Sequence, residues 1–238
     1  MAAVERPPRW QAEGTLRLDP ALPVPAPALP ALPVVETFHS LQGEGLHAGR
    51  SAFFIRLAGC DVGCPWCDTK HSWPEAAHPL RPVEDLAAEA LSAAAAGAAF
   101  VVITGGEPLH HDLRELTEAL RQHTLLPLHL ETSGVDRLSG SFDWITLSPK
   151  RHRPPEEGLL RHCNELKIVV HEQADLVFAE VMAGEASLLR EGTGSEAPVL
   201  LLQPGWQSTG GQALALDYVR SHPGWRLSMQ LHKELGVR

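Results

Sequence analysis

The sequence predicts an α/β fold built on a mainly parallel sheet. From Val34 onward, short apolar segments alternate with helix-like ones, the pattern of parallel strands joined by helical crossovers. The residues with unusual chemistry fall just after those apolar segments, at the strand ends where α/β sheets place their sites. The chain has 238 residues, of which 44% are hydrophobic, enough to bury one sizeable core.

Before Val34 the pattern differs. Proline recurs at positions 7, 8, 20, 23, 25, 27, 30 and 33, and such spacing sustains neither a helix nor a central strand. Residues 1–33 are therefore expected to form an extended, poorly ordered arm, and residues 34–238 the folded domain. Val34–Leu41 and Ala52–Leu57 read as the first strands. Pro82–Ala96 is rich in Ala, Leu and Glu and stops at Gly97, so it reads as a helix. Phe100–Thr104 is a short apolar run and reads as a buried strand. Asp112–His123 carries helical spacing through Leu113, Leu116 and Leu120. Leu126–Glu131, Trp144–Leu147, Leu166–Val170 and Val199–Leu202 read as further strands, and Gln173–Ala183 and Gln212–Ser221 as helices. Glu185–Ala197 reads as a mobile loop and Trp225–Gln230 as a last strand. These units are too few for a complete eight-fold barrel, which leaves an open sheet or an incomplete barrel.

The net charge of −9 argues against broad binding to nucleic acid, whose affinity rests on neutralised phosphates. The sequence shows no apolar run able to span a bilayer and no signal-peptide h-region, so a cytoplasmic protein is expected. The histidines are mostly scattered. His110, His111 and His152 lie in loops near the strand ends without a motif that assigns them chemistry.

Of four cysteines, three lie within eight residues, in Cys60-Asp61-Val62-Gly63-Cys64-Pro65-Trp66-Cys67. Three thiolates on one short loop reach three corners of a [4Fe–4S] cube and leave one iron open, because such a cube normally takes four. Gly59, Gly63 and Pro65 suit a loop curled around a bulky cluster. A closed tetrahedral zinc site is the alternative, and it needs a fourth ligand such as His71 or Cys163. Cys163 otherwise reads as an ordinary thiol.

The CxxxCxxC spacing resembles the radical S-adenosylmethionine (SAM) superfamily, as does Thr104-Gly105-Gly106-Glu107-Pro108 after an apolar strand. More residues resemble one family within it, 7-carboxy-7-deazaguanine synthase. These are Ser40-Leu41-Gln42-Gly43-Glu44-Gly45, Gly49-Arg50, Arg56-Leu57-Ala58-Gly59-Cys60, Cys67-Asp68-Thr69 and Glu131-Thr132-Ser133-Gly134. Ser148-Pro149-Lys150, Asn164-Glu165-Leu166-Lys167 and the ending Trp225-Arg226-Leu227-Ser228-Met229-Gln230-Leu231-His232-Lys233 complete the match. The resemblance covers Val34 to Arg238.

That resemblance implies an incomplete β/α barrel of the radical SAM type, with a [4Fe–4S] cluster on Cys60, Cys64 and Cys67 and SAM on its open iron. It implies cleavage of SAM by one electron, removal of hydrogen from C6 of 6-carboxy-5,6,7,8-tetrahydropterin, ring contraction, and release of ammonia to give 7-carboxy-7-deazaguanine, a step toward queuosine and related 7-deazapurines. A flavodoxin- or ferredoxin-like electron donor and a homodimer are implied with it. By the same resemblance Leu41, Gln42, Gly43, Arg56, Thr104 and Glu131 contact the pterin, and Thr69 is a ligand to Mg²⁺. Gly106, Glu107, Ser148, Pro149, Lys150, Gln203 and Pro204 contact SAM. The main-chain carboxylate at Arg238 reaches the substrate. The chemistry suits several of these roles: a guanidinium fork at Arg56 fits a carboxylate, Glu107 accepts from an ammonium, and Mg²⁺ tolerates a lone threonine when substrate and water supply most ligands. Two departures stand out. Ser133 occupies a position where the family often has Asn, and Gly205-Trp206 follows Pro204 where more polar residues are expected.

Overall fold

The computed structural model describes residues 30–238, so the expectation for the proline-rich arm lies largely outside the described residues. The strands are β1 (Ala31–Leu41), β2 (Ser51–Leu57), β3 (Leu80–Pro82), β4 (Val101–Gly105), β5 (Leu128–Thr132), β6 (Trp144–Leu147), β7 (Glu165–Val170), β8 (Val199–Pro204) and β9 (Trp225–Leu227). The helices are α1 (Val83–Ala95), α2 (Arg114–His123), α3 (Glu157–His162), α4 (Gln173–Leu188), α5 (Thr209–Ser221) and α6 (Leu231–Leu235). Among the described residues the strands form one sheet in the order β3-β1-β2-β4-β5-β6-β7-β8-β9. β1 pairs antiparallel with β2 and β3, and every pairing from β2 to β9 is parallel. No pairing joins β9 back to β1 among the described residues, so the sheet is an unclosed, partial barrel. None of the described helices is long and apolar enough to cross a membrane.

Several boundaries differ from the sequence reading. β1 begins at Ala31, not Val34, and includes Pro33. Proline is tolerated there because Ala31–Pro33 turns to pair with the three-residue edge strand β3, where a missing N–H leaves no central ladder incomplete. α4 runs on to Leu188, taking the first four residues of the expected loop at Glu185–Ala197. The expected last strand ends at Leu227, and α6 follows it. β3, α3 and α6 are too short for periodicity to announce them.

Period two divides each strand between two faces. Phe53, Ile55, Leu57, Val101, Ile103, Leu128, Leu130, Ile145, Leu147, Leu166, Ile168, Val170 and Leu202 all belong to the core shared with the helices. Their alternate neighbours point to the concave face: Ala52, Phe54 and Arg56 on β2; Val102 and Thr104 on β4; His129 and Glu131 on β5. Phe54, Phe100 and Val102 form a second, smaller apolar cluster there, with Phe38 of β1 against it. The concave face is apolar near the strand starts and polar near the strand ends, and the polar end holds the site.

Candidate active site

A cavity of about 770 Å³ opens at the C-terminal ends of the parallel strands. Cys60, Cys64 and Cys67 are free thiols on its wall. Their loop is fixed from two sides. Gly59 N donates to Ser72 O (2.8 Å) and Cys60 N to Trp73 O (3.2 Å). Glu107 N donates to Gly59 O at 2.8 Å. A Cβ on Gly106 would lie 2.3 Å from the Gly59 carbonyl oxygen, so only glycine lets the two loops touch. Burial pushes the Cys60 and Cys64 thiols above their ordinary pKa, with neighbouring charges adding smaller effects.

Glu107 is buried, at 1% exposure, and its carboxylate is fully engaged. It accepts from Leu109 N (3.1 Å), Thr132 Oγ1 (2.5 Å), Ser133 N (2.7 Å) and Ser133 Oγ (2.5 Å). The carboxylate reserved for an ammonium in the sequence reading therefore braces the loop after β4 against the end of β5. The exposed peptide groups of Gly105 and Gly106 remain toward the cavity. Ser133, shorter than the expected Asn, is accounted for by this brace.

Beyond β6, Lys150 Nζ donates to Ser148 O (2.7 Å) and Ser148 Oγ (2.8 Å). Burial lowers the Lys150 pKa, and the Cys64 sulfur opposes that. Pro149, between them, is buried. Gln203 and Pro204 do line it, with Gln203 Oε1 accepting from Ser228 Oγ at 2.8 Å.

The cavity also holds a polar network. Gln42 Nε2 donates to Glu131 Oε1 at 2.7 Å. Lys167 Nζ pairs with Glu44 and lies 3.9 Å from Glu131 Oε2. Gln230 Nε2 donates to the second Glu44 oxygen at 2.8 Å. Burial alone would lower the Lys167 pKa, but Glu44, Glu131 and Glu165 outweigh it and hold the ammonium above its ordinary value. Burial alone would raise Glu44, but Lys167 outweighs it and the carboxyl falls to about 2. The sequence reading gave Lys167 no role. Its signal was a charged residue between Leu166 and Ile168, placed on the concave face by alternation.

Elsewhere on the cavity wall Arg56 Nε donates to Glu36 Oε1 at 3.1 Å, and Arg238 Nη1 pairs with Glu36 Oε2 at 2.7 Å. Phe38 stacks on Phe54 (4.8 Å between centroids), and both guanidinium carbons lie within 5.8 Å of the Phe38 ring. Ser40 Oγ donates to the main-chain carbonyl of Arg238. Thr69 Oγ1 lies 3.5 Å from Cys67 Sγ. Leu41, Gln42, Gly43, Arg56, Thr69, Thr104, Gly106, Glu131 and Arg238 thus all reach one cavity. Glu36, Trp66 and His171 share it without having been given a role, as do His232 of the C-terminal match and Trp206, noted above as a departure. His71 and Cys163, the two candidates to close a zinc site, lie off its wall. Cys163 is instead packed beside Arg190 (3.5 Å) between α3 and α4.

Three free thiols on one loop, a glycine-lined backbone beside them and a large adjoining cavity fit a cluster with a bound small molecule. Neither His71 nor Cys163 stands on the cavity wall to supply the fourth ligand that a closed tetrahedral zinc site needs.

The sequence profile of the radical SAM superfamily matches residues 54–151, the span from β2 through the cysteines to Lys150. The 7-carboxy-7-deazaguanine synthase of Prochlorococcus marinus is 55% identical over 220 residues, covering 87% of this chain and 98% of the relative. The Synechocystis enzyme of the same name is 48% identical over 206 residues, covering 87% and 93%. The crystal structure of QueE from Escherichia coli superposes with a TM-score of 0.70 at 34% identity, covering 85% of this chain and 95% of that one. With this likeness over nearly the whole length of each relative, the chain belongs to the 7-carboxy-7-deazaguanine synthase family of the radical SAM superfamily.

Proposed function

We propose that this protein is a radical SAM lyase that converts 6-carboxy-5,6,7,8-tetrahydropterin to 7-carboxy-7-deazaguanine with loss of ammonia. One observation carries the reading. Three free cysteines on one loop line the same cavity as Arg56, Gln42 and Glu131, which supports a cluster-binding loop and a pterin-recognition surface sharing one site. A [4Fe–4S] cluster held by Cys60, Cys64 and Cys67, with SAM on its open iron, supplies the one-electron chemistry.

The chain's own residues bind and orient. Arg56 turns from Glu36 toward the pterin carboxylate, which a guanidinium grips with two N–H groups. Gln42 and Glu131, joined to each other, present donor and acceptor to the amide-like ring edge. Lys167 keeps Glu44 charged, so that carboxylate acts as an acceptor. Phe38 and Phe54 flank the ring. Gly106, Ser148 and Lys150 with Gln203 and Pro204 line the SAM end. Thr69 adjoins the cysteine loop, where one hydroxyl with substrate and water oxygens would complete a Mg²⁺ shell. A flavodoxin- or ferredoxin-like reductant, a homodimer and a cytoplasmic setting belong to the same reading.

Anaerobic turnover with SAM, a reductant and the carboxypterin, followed by mass analysis, tests it. The expected products are 7-carboxy-7-deazaguanine and one equivalent of ammonia. SAM cleavage without deazaguanine would assign the protein a different radical reaction.

A further inference from the structure

The open sheet leaves the cavity without a strand wall between β9 and β1, and the segment after β9 fills that gap. Leu231 N donates to Gly43 O at 2.9 Å, and Gln230 Nε2 to Glu44 Oε1 at 2.8 Å. The His232 ring packs so closely on Gly43 that a methyl group there would lie 2.0 Å from Nδ1. Beyond α6, Arg238 holds Glu36 on β1. These contacts tie the segment to one side of the gap. A five-residue helix does not hold its place by itself, so the other side matters equally.

On that side stands Lys233. Its ammonium pairs with the Asp68 carboxylate and sits 5.1 Å from the Trp206 ring centroid. Its side chain is 17% exposed. Asp68 stands between Cys67 and Thr69, and Trp206 lies in the loop between β8 and α5. One cation therefore joins α6 to the cysteine loop and to the loop after β8. Among the described residues this ion pair is the one hydrogen-bonded tie between α6 and the cysteine loop.

We propose that Lys233 is a positioning residue: by bridging Asp68 and Trp206 it holds α6 as the missing wall of the cavity and so sets the affinity for the substrate. The proposal rests on the reading of this cavity as the pterin site. Lys233 itself lines the cavity with Gln230 and His232; the role assigned to it is to hold that wall in place.

The test is anaerobic calorimetric binding of 6-carboxy-5,6,7,8-tetrahydropterin to the cluster-loaded, SAM-saturated protein, with Lys233→Ala, Lys233→Arg and Asp68→Asn beside the parent. Kinetics, iron content and chymotrypsin sensitivity of the C-terminal segment are measured on the same samples. Lys233→Ala and Asp68→Asn are expected to weaken binding and raise KM about fivefold, the combined scale of an ion pair whose carboxylate is largely exposed and a cation–π contact. Iron content and kcat at saturation should change little. Lys233→Arg should keep most of the affinity, because a guanidinium makes both contacts. The C-terminal segment of Lys233→Ala should be cut faster. Unchanged affinity in Lys233→Ala, or a Lys233→Arg variant as weak as Lys233→Ala, overturns the proposal. Should the parent bind no pterin, the reading of the site fails, and the protease comparison still decides the role of the ion pair.

Discussion

The two ends of the barrel interior are built from the same strands a few residues apart, yet they differ in kind. At the floor, His129 on β5, Trp144 on β6 and Phe100 just before β4 meet His47 from the β1–β2 loop. Phe100 and His129 stack at 4.2 Å, and the Arg50 guanidinium covers Phe100 at 4.9 Å. Among the described residues three buried ring nitrogens lack a partner, His47 Nε2 and Trp144 Nε1 at the floor and His171 Nε2 beside the cavity, and burial holds the His129 pKa down to about 3. At the rim, two or four residues further along, stand Thr104, Glu131 and Ser148, with Lys167 on β7 between. There almost every polar group has a partner or faces the cavity. The floor tolerates unsatisfied polarity to seal the barrel with rings. The rim ties its charges to polar partners: Lys167 to Glu44, Arg56 to Glu36, Glu107 to Thr132 and Ser133 and Lys150 to Ser148. Strand direction separates stability from chemistry.

Four substitutions break or sharpen that contrast. The largest effect is expected at the rim: Cys64→Ala should abolish bound iron, the absorbance near ~400 nm and all turnover, with the circular dichroism of the fold retained. Cys163→Ala, in the helix layer, should leave iron content unchanged. Equal iron loss in both would dissolve the distinction between site and scaffold.

Next comes Lys167→Met, at the boundary between the two layers. It leaves Glu44 and Glu131 buried without their cation, and breaking a buried pair costs about 3–5 kcal/mol. Denaturant unfolding at pH 7 measures this. The pH dependence has a definite sign. Glu44 is held at about 2, below its unfolded value, so its contribution is present above the unfolded pKa and is lost as pH falls through about 2. In Lys167→Met the bare carboxylates take up protons, so the deficit should be smaller at pH 4 than at pH 7.

The smallest effect is expected at the floor. His129 is held at about 3, while the unfolded imidazole titrates near 6.5. The unfolded chain then binds the extra proton, so stability falls as pH drops below 6.5 and continues to fall toward 3. His129→Phe should remove this slope, sparing about 1 kcal/mol of the loss between pH 7 and pH 5.5, with substrate affinity unchanged. A weakened KM would show that the floor reaches into the chemistry.

Much of this was legible in local pattern. The alternation of apolar and helical segments gave the parallel sheet, and the Cys60–Cys67 spacing gave the cluster loop. Arg56 and Glu131 stood out as charges at the ends of apolar strands, and both line the cavity. Period two even assigned Lys167 to one face of β7, although nothing local said whether that face was the cavity or the helix layer. The sheet's curvature decides which face is concave.

The sequence by itself determined the strands, their direction, the three-thiol loop and the set of polar residues at the strand ends, because each is a matter of neighbours within a few positions. Tertiary structure alone decided the partners. Glu107 became a brace because Thr132 and Ser133 stand opposite it across two strands. The gap between β9 and β1 is filled by α6 through contacts to residues more than 160 positions away. Burial and ion pairing depend on which groups a folded sheet brings face to face, and no local period encodes a contact of that range.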